Sequence, residues 1–342
     1  MLDDHLNEFN YEEEFYFQWH ITNGCNLRCK HCYHADYLND SVQLNQLLQI
    51  GNHLCDAAQK WGKKASFSIT GGEPFTNPDN IFSLLELLES RDADKIDILT
   101  NGTLLTDSII HKLKKYKKLR RLQLSLEGLK ETNDKIRGVN SYNRTIEAID
   151  NLKKHGLIVS IMMTVGKHNM DEVIPLAEEL AKHDVDVFII DRFIPEGQSS
   201  ELTEWVLSQE EIKKVYSRAY EYFIKTLKPR FLLYRTLFCL LNPDDPHIGA
   251  ICSVGNNALT IMPNGDVLPC RRLPIKIGNL FETTLYDIWY MSPFLWEIRN
   301  PEKLKGKCNH CEYIPICRGC RAVAYALQGD YLAGDPQCWK EK

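Results

Sequence analysis

No stretch of the 342-residue sequence approaches the roughly 20 apolar residues that a membrane-spanning helix requires. The N-terminus, MLDDHLNEFNYEEEF, is acidic and lacks the basic-then-apolar order of a signal peptide. A surplus of positive charge is absent too: the formal net charge is −5, which argues against a nucleic-acid partner. Together these absences predict a cytoplasmic chain without membrane or nucleic-acid contacts. The long middle of the sequence also lacks cysteine, with none between Cys55 and Cys239, although the chain holds twelve. Disulfides are rare in a reducing compartment, so that many thiols point to metal binding or catalysis.

Cys25, Cys29 and Cys32 cluster near the start, and Cys252, Cys270, Cys308, Cys311, Cys317, Cys320 and Cys338 follow residue 250. This segregation predicts two metal-bearing regions joined by a scaffold without metal. Cys55 falls on the apolar face of a helix-like stretch and reads as a small core hydrophobe. Cys239, in RTLFCLLNP, reads the same way, with ligation of a cluster as its alternative. One basic run, Lys112 to Arg121 (KLKKYKKLRR), departs from the mild acidity. It reads as the solvated end of a surface helix rather than as a docking patch for an acidic peptide.

From residue 15 to 192 short apolar runs alternate with amphipathic stretches. The candidate strands are 15–22, 66–70, 95–100, 121–126, 157–165 and 186–191. Such alternation predicts βαβ units and a parallel sheet. Six repeats are too few for a closed eight-stranded barrel, which leaves a partial barrel or an open doubly wound sheet. In either, chemistry sits at the carboxyl ends of the strands.

The first strand runs into Cys25-Asn-Leu-Arg-Cys29-Lys-His-Cys32. Three thiolates at C-x3-C-x2-C spacing can hold three irons of a cubane and leave the fourth open to a chelating cofactor. The alternative is a structural zinc site, which wants four ligands. His31 or His34 would have to supply the fourth, and His31 is wedged between two candidate ligands. The motif after a first strand resembles that of the radical S-adenosylmethionine (SAM) superfamily, with His31 at the usual aromatic position. The resemblance implies an α/β fold, a partial (β/α)6 TIM-type barrel, and a [4Fe-4S] cluster on Cys25, Cys29 and Cys32 whose open iron takes SAM. One electron, from a donor such as flavodoxin or ferredoxin, then splits SAM to methionine and a 5′-deoxyadenosyl radical that abstracts hydrogen from substrate.

Further segments resemble the family's SAM contacts. The second strand ends in Thr70-Gly71-Gly72-Glu73-Pro74, where Gly71 and Gly72 permit close backbone approach and Glu73 can accept from an ammonium. The third ends in Thr100-Asn101-Gly102. The fourth ends in Ser125-Leu126-Glu127-Gly128, so Ser125 and Glu127 point the same way toward the ribose or carboxylate of SAM, with Glu127 standing where many members have Asp. Arg137 reads equally as a clamp on the SAM carboxylate or as an exposed arginine. The sixth strand leads into Asp191 to Gly197, resembling the exit segment near substrate.

After residue 250 the order is Cys252-x17-Cys270 with Gly265 five residues before Cys270, then Cys308-x2-Cys311-x5-Cys317-x2-Cys320, and Cys338. Seven cysteines exceed what one tetrahedral zinc uses. The pattern resembles the SPASM extension of radical SAM enzymes, a small α+β cluster-binding domain. The resemblance implies a division into an acidic extension (1–15), a radical SAM core (16–198), a helical linker (199–249) and a SPASM domain (250–342). It also implies two auxiliary [4Fe-4S] clusters. Cys308, Cys311, Cys317 and Cys338 would hold one. Cys252, Cys270 and Cys320 would hold the other, completed by Cys239, an open iron or a non-thiolate group. The x2 spacing before Cys320, where the family usually has x3, requires a tighter turn.

The leading functional expectation is cross-linking or oxidation of a ribosomally made peptide, with a peptide or protein as substrate. About fifteen residues before the first strand are too few for a leader-binding domain, so a separate leader-recognition protein is an expected partner. Alternatives are sulfatase-type formylglycine maturation and oxidative decarboxylation of a haem-pathway intermediate, in which auxiliary clusters accept electrons. The non-enzymatic alternative is a zinc-binding module. Tyr216, Tyr220, Tyr222 and Phe223 read as packing residues rather than as a substrate box.

Overall fold

The computed structural model describes residues 13–34, 42–226, 228–233, 235–244, 248–249 and 252–341. Strand β1 (Glu14–His20) is followed by α1 (Leu44–Lys60), β2 (Lys64–Thr70), α2 (Pro78–Ser90), β3 (Lys95–Thr100), α3 (Asp107–Leu113) and β4 (Leu119–Ser125). The alternation continues through α4 (Lys130–Arg137), α5 (Ser141–Lys154), β5 (Val159–Val165), α6 (Val173–Lys182) and β6 (Val187–Arg192). Helix α7 (Gln209–Lys225) leads to β7 (Arg230–Phe231). The C-terminal part adds β8 (Ala258–Ile261), β9 (Asp266–Leu268), β10 (Gly278–Asn279), α8 (Leu285–Met291), α9 (Pro293–Arg299) and α10 (Arg321–Gln328). The strands form one sheet in the order β10-β9-β8-β1-β2-β3-β4-β5-β6-β7. From β8 to β7 all neighbours are parallel; β9 and β10 run antiparallel to theirs.

The six expected strands are present and build the partial barrel. Four further strands widen it, β7 and β8 running parallel to the core strands and β9 and β10 closing one edge. β7 and β8 are two and four residues long, too short for any hydrophobic period to announce them. β8 lies beside β1 with Gln18 opposite Thr260, so the cysteine-rich segment begins as a strand of the core's own sheet. The stretch expected to be a helical link therefore carries a strand as well as α7.

In β1 the apolar residues Phe15, Phe17 and Trp19 alternate with Tyr16, Gln18 and His20, which places the two sets on opposite faces. The apolar face packs on helices. Helix α1 buries Leu47, Ile50, Leu54, Cys55 and Ala58 along one stripe. It comes so near that a Cβ on Gly51 would stand 2.7 Å from Leu87 Cδ2 and 3.0 Å from the Trp19 ring. Phe15 also meets Trp61 at 4.7 Å and Trp289 of α8 at 4.8 Å between ring centroids, seating the C-terminal part on the core. Each such fully buried large side chain is worth about 1.5–3 kcal/mol over exposure.

The inward face is polar. Gln18, Ser68, Asp97 and Arg121 stand in register across β1, β2, β3 and β4. Buried Asp97 receives Arg120 Nε at 2.8 Å and Arg121 Nε at 3.1 Å. This corrects the reading of the basic run as one solvated helix end. Helix α3 stops at Leu113, and the last two arginines are drawn into β4 by the carboxylate facing them. Among the described residues no helix is long and apolar enough to cross a membrane.

Candidate active site

The barrel lumen holds a cavity of about 420 Å³. Its wall includes Cys25, Cys29 and Cys32 from the β1 exit and, from the C-terminal part, Cys252, Cys270 and Cys320. A second cavity of about 390 Å³ is lined by Cys308, Cys311, Cys317 and Cys338. All twelve cysteines carry free thiols. The ten candidate ligands thus fall into three groups, with the first two groups on one cavity.

The first loop supplies donors to its own sulfurs. Leu27 N–H reaches Cys25 Sγ at 3.4 Å, His34 N–H reaches Cys32 Sγ at 3.5 Å, and Arg137 Nη1 lies 3.9 Å from Cys29 Sγ. Burial pushes the Cys29 thiol up to about 11, with the Arg137 charge acting in the opposite sense. Arg137 is not an exposed arginine. Its Nε and Nη2 donate to Glu127 Oε1 at 3.0 and 2.6 Å. His31 Nε2 stands 3.1 Å from the same oxygen, and Thr164 N–H donates to Oε2 at 2.7 Å. Burial alone would raise the Glu127 pKa, but His31 and Arg137 hold it at about 2. Glu127 therefore stays ionised and ties the cysteine loop, α4 and β5 together. His34 turns away from the sulfurs, with Nε2 3.2 Å from the Gly71 carbonyl oxygen.

Gly71, Gly72, Ser125, Glu127 and Arg137 all line the cavity, whereas Glu73 does not. Its buried carboxylate accepts from Phe75 N–H at 3.0 Å, Thr100 Oγ1 at 2.7 Å and Asn101 N–H at 2.7 Å. It is thereby turned into the β2–β3 junction, where these three donors engage both of its oxygens. The two glycines serve a contact within the chain. A Cβ on Gly72 would stand 2.2 Å from the Gly24 carbonyl oxygen, and one on Gly71, at φ +151°, would stand 2.3 Å from that of Thr22. The glycine-rich turn thus presses on the very segment that carries Cys25.

In the C-terminal part, Arg318 and Gly319 take successive left-handed conformations at φ +97° and +64°, which closes the short turn between Cys317 and Cys320. Gly319 N–H donates to Cys317 Sγ at 3.3 Å, and Arg321 Nη2 lies 3.6 Å from Cys308 Sγ. Cys320 is fixed through Asp335, whose carboxylate accepts its N–H at 2.8 Å and pairs with buried Arg192 of β6 at 2.9 Å. Cys239 does not join the Cys252 group. Its buried thiol stands near those of Cys317 and Cys338, beside the other cavity. Cys252, Cys270 and Cys320 remain a group of three.

Sequence reasoning placed Asp191 and Arg192 in the exit segment near substrate but missed the rest of the charged wall of the first cavity, which includes Asp97, Arg121, Arg235 and Arg272. A signal was available for the strand positions. Tyr16/Gln18, Ser66/Ser68/Thr70 and Arg121/Gln123/Ser125 put polar residues at every second place of strands buried on both faces. Tyr216 reads correctly as packing, stacked on Phe238 at 3.8 Å, yet it also borders the cavity.

The donor sets fit iron–sulfur clusters. They are all sulfur, and N–H groups two residues on, or arginines, reach several of the thiols, an arrangement that favours the metal-binding thiolate. Among the described residues no three His, Cys, Asp or Glu side chains converge closely enough to share a single metal ion.

The sequence pattern of the Radical SAM superfamily matches residues 19–180, and that of the iron–sulfur cluster-binding SPASM domain matches residues 252–321. An AdoMet-dependent heme synthase of Methanosarcina barkeri is 33% identical over 346 residues, spanning 94% of this chain and 95% of its own. The subtilosin biosynthesis protein AlbA of Bacillus subtilis is 27% identical across 88% of this chain and 65% of its own. SuiB of Streptococcus suis, solved with its precursor peptide SuiA, has the same fold, with a TM-score of 0.76 at 22% identity over 96% of this chain and 76% of its own. The chain belongs to the radical SAM superfamily and carries a C-terminal SPASM domain. Membership makes it an enzyme and implies SAM and iron–sulfur clusters as its cofactors.

Proposed function

We propose that the enzyme oxidatively decarboxylates a haem-pathway intermediate. The observation that carries this reading is the single cavity bordered by both Cys25/Cys29/Cys32 and Cys252/Cys270/Cys320. The full-length likeness to a heme synthase supports the same substrate class. When bound, the clusters supply the electron that splits SAM to methionine and the hydrogen-abstracting 5′-deoxyadenosyl radical, and an acceptor for the electron left when carbon dioxide departs. In this proposal Cys25, Cys29 and Cys32 hold the SAM-side cluster, and the seven C-terminal cysteines hold two auxiliary ones. Glu127 and Arg137 set the wall beside the SAM-side thiols, and Gly71 and Gly72 position the Cys25 segment.

Peptide maturation is the second reading. Its support is the likeness to AlbA, a bacteriocin biosynthesis protein, together with the fold shared with SuiB. Anaerobic reconstitution with SAM, a one-electron donor and a carboxylated porphyrin separates the two. Release of carbon dioxide with 5′-deoxyadenosine, both abolished by Cys29→Ala, is expected. A porphyrin mass unchanged while a small peptide loses hydrogen would establish the second reading instead.

A further inference from the structure

We propose that Arg321 is a cation shared by the two groups of C-terminal cysteines, placed to favour an extra electron on the clusters they hold; this rests on the reading of those seven cysteines as the ligands of two auxiliary clusters. Arg321 follows Cys320 directly and opens α10. Its chain neighbours Cys320 and Ala322 border the first cavity, whereas Arg318 and Gly319 border the second. The side chain therefore stands in the wall between the two, and it is almost wholly buried, at 2% exposure.

The carboxylates of the protein do not account for a charge at this place. Nη1 donates to the carbonyl oxygens of Tyr331 at 3.0 Å and Ala333 at 2.8 Å, which are neutral acceptors. Nε is buried and donates to no group among the described residues. Two carboxylates lie in the neighbourhood, and each has its own cation: Asp335 meets Arg192 at 2.9 Å, and Asp330 meets Lys305 at 2.7 Å. A buried charge without a counter-charge is costly, and a cation at the first position of a helix also opposes the helix dipole.

The counter-charge comes from sulfur. Nη2 lies 3.6 Å from Sγ of Cys308, which lines the second cavity, and Arg321 also stands near Cys252, which lines the first. Gly319 keeps that approach open, because a Cβ there would stand 2.8 Å from Arg321 Nη2 and 3.2 Å from Cys308 Sγ. A thiolate bound to iron supplies the missing negative charge. The site grows more negative when it takes up an electron, so a guanidinium within hydrogen-bond reach of its sulfur stabilises the reduced state. Arg321 itself borders neither cavity, so it acts through the cysteines as a positioning residue and does not meet substrate.

The test is a reductive titration of anaerobically reconstituted, full-length enzyme followed by electron paramagnetic resonance, with SAM added to mark the SAM-side cluster by the change in its signal. Signals that SAM leaves unmoved report the C-terminal clusters. Arg321→Gln keeps neutral donors and loses the charge. It is expected to make reduction of at least one C-terminal cluster about tenfold less favourable, a fall of about 59 mV for a one-electron couple. Arg321→Lys keeps the charge and is expected to stay within about threefold of the wild type. Unchanged midpoints in Arg321→Gln at full iron content overturn the inference. So does an equal fall in both variants, which a merely structural role would give. Should Arg321→Gln fail to hold C-terminal iron, Arg321→Lys decides: iron retained there supports the shared charge, and iron lost from both overturns it. Wild-type enzyme that holds about four irons, all of them responding to SAM, overturns the two-cluster reading and the inference with it.

Discussion

Removing the Asp335 carboxylate tests whether the C-terminal segment is latched to the barrel through one buried ion pair. Asp335 and Arg192 are both almost fully buried and meet through two contacts, at 3.1 and 2.9 Å. The carboxylate also accepts N–H groups from Cys320 and Gln337 at 2.8 and 3.0 Å. Breaking a buried pair by deleting one partner costs about 3–5 kcal/mol, because the other charge is left uncompensated. Arg192 keeps two neutral acceptors, Gln337 Oε1 at 2.9 Å and Thr236 Oγ1 at 3.1 Å, which places Asp335→Ala toward the lower end. At about 2–4 °C per kcal/mol for a chain of moderate size, the thermal midpoint of anaerobic protein should fall by roughly 5–10 °C. Cys320 loses its tether in the same variant, so bound iron should drop with stability. The check is a double-mutant cycle with Arg192→Met and Asp335→Asn. A coupling above about 1 kcal/mol is expected, since the two side chains act as a unit. Strict additivity, or Asp335→Ala melting with the wild type, would refute the latch.

Other sites give independent tests. Gly72→Ala should yield insoluble protein or protein without SAM-side iron, because its Cβ would lie 2.2 Å from the Gly24 carbonyl oxygen and backbone cannot give way there; soluble protein with full iron content would count against that packing. Although burial by itself would raise the Asp97 pKa, Arg121 and Arg120 hold it below its ordinary value. The carboxylate therefore contributes stability that is fully present above the unfolded-state pKa and is lost as pH falls through the lower folded value. Wild type should exceed Asp97→Asn by a constant margin in urea midpoint at neutral pH, and the margin should vanish only below about pH 4; a margin already gone at pH 6 contradicts the pairing. Cys239→Ala should keep wild-type iron, since four other thiols line the second cavity, whereas Cys317→Ala should lose about four irons; equal losses would make Cys239 a ligand.

Local order decided much of this molecule before any packing was known. The C-x3-C-x2-C spacing needs only a short loop to bring three thiols around one space, and the six strands show their period within a few residues of their observed ends. The tight Cys317–Cys320 turn likewise follows from two intervening residues, one of them glycine. These features depend on neighbours in the chain, and neighbours are written in the sequence.

Long-range packing decided the rest. Cys239 lies 13 residues before Cys252 yet stands against Cys317, because the chain between β7 and β8 folds back on the C-terminal cysteines. Glu73 looks available for a cofactor until β3 brings Thr100 and Asn101 to its carboxylate. Arg137 reads equally as a clamp or as an exposed arginine until the segment after β4 brings Glu127 against it. Arg235 and Arg272 sit in unremarkable contexts and acquire meaning only where β6 offers both of them Asp191. A charged side chain is defined by the opposite charge it meets, and in a parallel barrel that partner comes from a strand or loop distant in sequence.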